Sequence, residues 1–138
     1  MEHKALSYLS LARKAGFAEL GEEPVGAVAR EGKAYLILVA NDASDHTWRR
    51  ARSFAAGTEQ QVLRLPVSKD ELGQCIGRQS LAIAAVTDAP LALAMVKCLE
   101  PGEAVNKARE VLEAKSRKIA KRAQEAKAHQ RNVRKGKK

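Results

Sequence analysis

Residues 35–42, Tyr35-Leu36-Ile37-Leu38-Val39-Ala40-Asn41-Asp42, decide the fold. The apolar run from Tyr35 to Ala40 is too short for a good helix and shows no alternation of apolar and polar residues. It reads as a strand covered on both faces, the pattern usual in parallel sheets. Asn41-Asp42-Ala43-Ser44-Asp45 then supplies turn and helix-cap residues. A helix is predicted from about 45 to 56, with Trp48, Ala51 and Ala55 turned inward.

Working outward in both directions, strands and helices alternate. Downstream, Val62–Leu65 is a short strand closed by Pro66. Ser68 followed by Glu71 makes a capping box for a helix with the apolar stripe Leu72, Cys75 and Ile76, ended by Gly77. Leu81–Thr87 is another strand and Ala89–Leu99 an apolar helix. Upstream, residues 5–15 form a helix with Leu6, Leu9 and Ala12 on one face, Arg13 and Lys14 in the last turn, and Gly16 as its stop. A short extended piece, Phe17–Leu20, leads to Gly21, and Glu22-Glu23-Pro24 opens a second helix with Val25 and Val28 inward. Alternation of this kind implies an α/β protein with crossover connections. The expected architecture is a three-layer α/β/α sandwich on a small, mainly parallel (mixed) four-stranded sheet.

Pro101-Gly102 marks the expected boundary between this domain (1–100) and a basic helical tail (101–138). The charge distribution draws the same line. Residues 1–100 hold 12 lysines and arginines against 12 aspartates and glutamates, whereas residues 101–138 hold 13 against 4 and so carry the whole net charge of +9. Residues 103–130 contain no Gly or Pro and carry only a thin apolar stripe (Val105, Ala108, Leu112, Ile119, Ala123, Ala126), so a solvated helix fraying from Asn132 onward is expected. Lys115, Arg117, Lys118, Lys121, Arg122, Lys127, Arg131, Arg134 and Lys135 are its candidate phosphate contacts. No aromatic residue is interleaved among them, so base stacking is not expected there.

Several classes of function find no support. The sequence has no G-x-G-x-x-G, no P-loop lysine, no C-x-x-C, H-E-x-x-H or G-x-S-x-G. Gly21 and Gly26 have P-loop spacing, but Ala27-Val28 stands where Lys and Ser/Thr are required. His3, His46 and His129 lie in unrelated segments and read as surface residues. Neither a cofactor, a metal, a small-molecule substrate nor a catalytic role is expected. No apolar run reaches the ~20 residues of a membrane span, and Met1-Glu2-His3-Lys4 does not open a signal peptide. Cys75 and Cys98 read as buried free thiols in a reducing compartment, which with the preceding points suggests the cytoplasm.

Five segments resemble, in order, the ribosomal-protein superfamily of the seven-Ae and thirty-e kind, and most closely its small bacterial YlxQ-like branch. They are Leu9-Ser10-Leu11-Ala12-Arg13-Lys14-Ala15-Gly16, Gly21-Glu22-Glu23, Leu36–Asp42, Glu71-Leu72-Gly73-Gln74-Cys75-Ile76-Gly77 and Ala82–Asp88. The resemblance implies an α/β/α sandwich that binds structured RNA of the kink-turn class, with ribosomal RNA as the expected partner and ribosomal, transcription or translation proteins as further ones. It implies that the start of the second helix faces tandem sheared G·A pairs and that a loop before the last strand covers a flipped-out nucleotide. Those positions are Gly21, Glu22 and Glu23, and Arg78, Gln79 and Ser80. Arg13, Lys14 and Lys33 are, with Arg78, the domain's candidate cations near that edge. The family's strongest binders read Gly-x-Asn-Glu with Lys three residues later; here Glu23, Pro24 and Ala27 stand at the last three of those positions. A monomer is expected when free. The competing expectation is a protein-interaction adaptor on the same scaffold, carrying a nonspecific nucleic-acid-binding tail.

Overall fold

The computed structural model describes residues 4–136, with side chains described through His129. The elements follow in the order α1 (Lys4–Lys14), β1 (Ala18–Leu20), α2 (Glu22–Arg30), β2 (Leu36–Val39), α3 (Asp45–Ala55), β3 (Gln61–Arg64), α4 (Lys69–Gln74), β4 (Ile83–Val86), α5 (Ala89–Lys97) and α6 (Glu103–Gly136). The four strands form one sheet in the order β1-β4-β2-β3.

The sandwich follows from strand periodicity, since successive side chains point to opposite faces. Leu36 and Leu38 of β2, with Ala84 and Val86 of β4, face a core built with Leu9 and Ala12 of α1, Ala92, Met95 and Val96 of α5, and Ala108 and Leu112 of α6. Ile37 and Val39, with Ile83 and Ala85, face the opposite core, built with Val25 and Ala29 of α2 and Ala51 of α3. Leu36, Ile37, Leu38 and Val39 are all fully buried, and burying each aliphatic side chain contributes about 1.5–3 kcal/mol. Gln60, buried at the entry to β3, is satisfied: its side chain accepts from the Ala34 amide at 2.9 Å and donates to the Ala29 carbonyl at 3.1 Å.

The mixed four-stranded sheet agrees with expectation, but its balance does not. Only β2 and β3 pair parallel; β4 pairs antiparallel with both β1 and β2. The apolar runs of β2 and β4 mark the two central strands, covered above and below, and burial on both faces says nothing of direction. The reversal has a local cause. α4 is only six residues long, too short to carry the chain back along the sheet, so β4 starts at the same end at which β3 stops.

Two further expectations are corrected. Cys98 is exposed and Cys75 only half-buried. The helix after Pro101-Gly102 is not solvated throughout, because Ala108 and Leu112 are fully buried and Val105 packs against them. Lys115 extends this docking with an ion pair to Glu59 at 2.8 Å. Beyond that point the described side chains of α6 are exposed, apart from a half-buried Ser116, and the helix continues past Asn132 to Gly136.

Candidate nucleic-acid interface

The strand directions gather four chain segments at one end of the sheet, here called the near end. They are Gly21 after β1, Asn41–Ser44 after β2, Pro66–Ser68 after β3, and residues 77–82 before β4. Their backbones are laced together. The Gly21 amide donates to the Ile83 carbonyl at 3.0 Å, Ala40 to Ala82 at 2.9 Å and Asn41 to Val67 at 2.8 Å. Asp42 Oδ1 accepts from the Lys69 amide at 2.8 Å, fixing the start of α4 against the loop that leads into α3.

Gly21 is the N-cap of α2 at φ 97° and ψ 162°, a conformation essentially confined to glycine. With no side chain it offers no capping oxygen. Val25 donates to the Gly21 carbonyl, and Pro24 has no N–H. The amides of Glu22 and Glu23 therefore find no acceptor among the described residues. Two free donors at a positive helix end suit phosphate or another acceptor. Glu22 is taken up by α3: Arg50 Nε donates to its Oε1 at 2.6 Å, while the guanidinium lies 5.2 Å from the Phe54 ring centre. That pairing offsets one of the two carboxylates at the helix start and leaves Glu23 exposed with its oxygens free for external donors.

The loop carrying Arg78, Gln79 and Ser80 is held at both ends by α4. Arg78 donates from its backbone to the Gly73 carbonyl at 2.9 Å, and Leu81 donates to Lys69 at 2.9 Å. The loop lies so close to α4 that a Cβ on Gly73 would sit 2.7 Å from the Ser80 backbone. All three loop residues are exposed, so a tethered backbone presents one cation and two neutral hydrogen-bonding side chains beside the α2 start.

The other candidate cations lie elsewhere. Arg13 and Lys14 end α1 just before β1, and Lys33 precedes β2, where it pairs with Glu31 at 3.2 Å. All three are at the far end of the sheet, about 13 Å from the near end along strands of four residues. Lys115 is also at the far end, half-buried and paired with Glu59; its hydrogen bond holds the Glu59 carboxyl below the usual carboxylate range. Arg117, Lys118, Lys121, Arg122 and Lys127 are exposed on α6, and the side chains of Arg131, Arg134 and Lys135 lie outside the described residues. Arg50 and Asp42 were missed from sequence. The i,i+4 spacing of Arg50 and Phe54 was a visible signal, but the partner Glu22 is 28 residues away. Trp48, expected inward, is half-buried with Arg64 stacked 4.6 Å from its ring centre.

The RNA-binding protein YlxQ of Enterococcus faecium is 36% identical to this chain over 75 residues, covering 54% of this chain and 72% of that protein. The chain belongs to the YlxQ family. A protein of unknown function from Bacillus halodurans C matches in structure with a TM-score of 0.65 at 27% identity, over 70% of this chain and 97% of that one. A Giardia lamblia 15.5kD RNA binding protein shares the fold with a TM-score of 0.61 at 14% identity, over 80% of this chain and 92% of that chain. The fold is thus that of the seven-Ae and thirty-e superfamily, as the five sequence segments implied. No protein-family profile matches the chain. Since 70% of this YlxQ-family chain covers nearly all of the Bacillus structure, the chain carries substantial sequence outside that shared fold.

Proposed function

We propose that the protein binds structured RNA of the kink-turn class, ribosomal RNA foremost, in the cytoplasm. The observation that carries this reading is the meeting, at one sheet end, of the uncapped α2 start with the tethered Arg78–Ser80 loop. The YlxQ relative, named as an RNA-binding protein, supports it. In this reading the Glu22 and Glu23 amides receive phosphate or base acceptors, and the Glu23 carboxylate accepts from the N–H edge of a guanine in a sheared G·A pair, as acidic side chains accept from base donors elsewhere. Arg78, Gln79 and Ser80 cover a flipped-out nucleotide, in keeping with the preference of RNA readers for splayed elements. The cations of α6 supply phosphate contacts without sequence choice, together with Arg13, Lys14 and Lys33 at the end from which the helix leaves.

The test is a binding titration of the full chain, at ~200 mM salt where the phosphate contacts of α6 are weak, against a kink-turn RNA and a matched RNA with its G·A pairs disrupted. The intact kink-turn should bind at least tenfold more tightly, and Glu23→Ala with Arg78→Ala should abolish the difference. Equal affinity of the unmodified chain for both RNAs would overturn the reading and favour the adaptor.

A further inference from the structure

The near end and the basic part of α6 point away from each other. The chain leaves β4 at the far end, α5 carries it back toward the near end, and α6 returns along the same face. Leu112 is buried in the core and Lys115 meets Glu59 at the far end, so the direction of α6 is fixed where it leaves the domain. From Lys115 onward the sequence holds eleven lysines and arginines and one acidic residue, Glu125, with no proline and no glycine before Gly136. Nothing in that stretch breaks the helix, so it cannot turn back to the near end. At 1.5 Å per residue the segment from Lys115 to Gly136 extends about 30 Å beyond the domain. Its tip lies on the order of 45 Å from the Gly21 end, several times the ~8–10 Å Debye length at physiological salt. Phosphates held at one site therefore neither repel nor attract those at the other.

We infer that the protein is a two-headed RNA tether: its near end holds one structured RNA element, while the α6 rod holds the phosphate backbone of a second, separate RNA segment. The inference rests on the RNA reading of the near end given above. An acidic protein is the other partner that such a rod would fit. RNA is favoured because the described rod cations from Arg117 to Lys127 are exposed on more than one side of the helix, and the apolar stripe beside them has one large side chain, Ile119, and is otherwise alanine. A polyanion wrapping the helix uses such a surface, and a protein groove does not.

The experiment uses the full chain with two RNAs carrying different dyes, a kink-turn with short arms and a plain duplex. Both colours should co-migrate in one complex at ~0.1 M salt. Replacing Lys118→Gln, Lys121→Gln, Arg122→Gln and Lys127→Gln together should remove the duplex colour at least tenfold while leaving kink-turn binding in place. Glu23→Ala with Arg78→Ala should do the converse. These six residues are exposed, so the variants keep the fold. Displacement of the kink-turn by excess duplex would show a single shared site and overturn the tether. A complex of the unmodified chain with the kink-turn alone would also overturn it, leaving the near-end reading intact and assigning the rod to an acidic protein surface. Failure of the unmodified chain to retain the kink-turn, with the duplex still bound, would sink the near-end reading and the tether with it.

Discussion

At the scale of single residues, the near end depends on two glycines for different reasons. Gly21 is needed for its backbone angles, and Gly21→Ala should cost about 1–3 kcal/mol of stability through strain. Gly73 is needed because nothing else fits between α4 and Ser80. Gly73→Ala should destabilise by about 1–3 kcal/mol and weaken kink-turn binding, because the Arg78 loop must move; thermal unfolding and an RNA titration check both. The segment containing Gly73 was part of the resemblance, but its contact partner Ser80 lies across a turn, beyond what local spacing reveals. The same is true of Arg50, whose partner belongs to another helix. The two thiols differ in environment. Burial pushes the Cys75 thiol up, whereas Cys98 is exposed. Iodoacetamide at pH 8 should therefore alkylate Cys98 first, as mass spectrometry of timed samples would show. Glu59 gives a pH signature. Its lowered carboxyl means that the pair with Lys115 is present above the ordinary carboxylate range and is lost as pH falls through the lowered value. Lys115→Ala should raise the midpoint of the Glu59 carboxyl titration followed by NMR.

At the scale of elements, α6 is two things in one helix. Its first turns close the core and the remainder stands in solvent. Leu112→Ala should cost about 2–5 kcal/mol, whereas Ile119→Ala, at a position 39% exposed, should stay within about 0.5 kcal/mol; urea unfolding of the two variants separates the halves. The sequence stripe from Val105 to Ala126 was visible, but periodicity alone does not say which part of a stripe finds a partner. The helices, caps and strand positions were legible because they rest on local chemistry: the Ser68–Glu71 capping box forms as read. Strand direction was not legible, because it depends on whether a connecting helix is long enough to return the chain. Arg13, Lys14 and Lys33 precede β1 and β2, which run the same way, so they lie opposite Gly21 whichever way β4 runs; it is the antiparallel β4 that brings the Arg78–Ser80 loop to the Gly21 end.

At the scale of the whole molecule, a near-neutral domain is joined to a rod carrying the net charge, and the two should respond to salt differently. Rod contacts fade with a slope of roughly 0.7–0.9 per phosphate, while recognition at the near end uses few charges. Near ~50 mM salt the chain should bind kink-turn and control RNA within about threefold of each other; near ~200 mM the preference should exceed about tenfold, because phosphate binding by the rod weakens so steeply. A titration series over salt reads this directly. The sheet order also governs how the chain can be assembled. β4 is the last strand in the chain yet sits between β1 and β2, and Ala18 must find Val86. Until Ile83–Val86 has been synthesised, β1 has no neighbour and β2 with β3 is an unsupported pair. No amino-terminal intermediate can complete the sheet, so its closure waits for β4. A nascent chain stopped in the loop at Arg78 would expose both cores to the quality-control machinery of the cell.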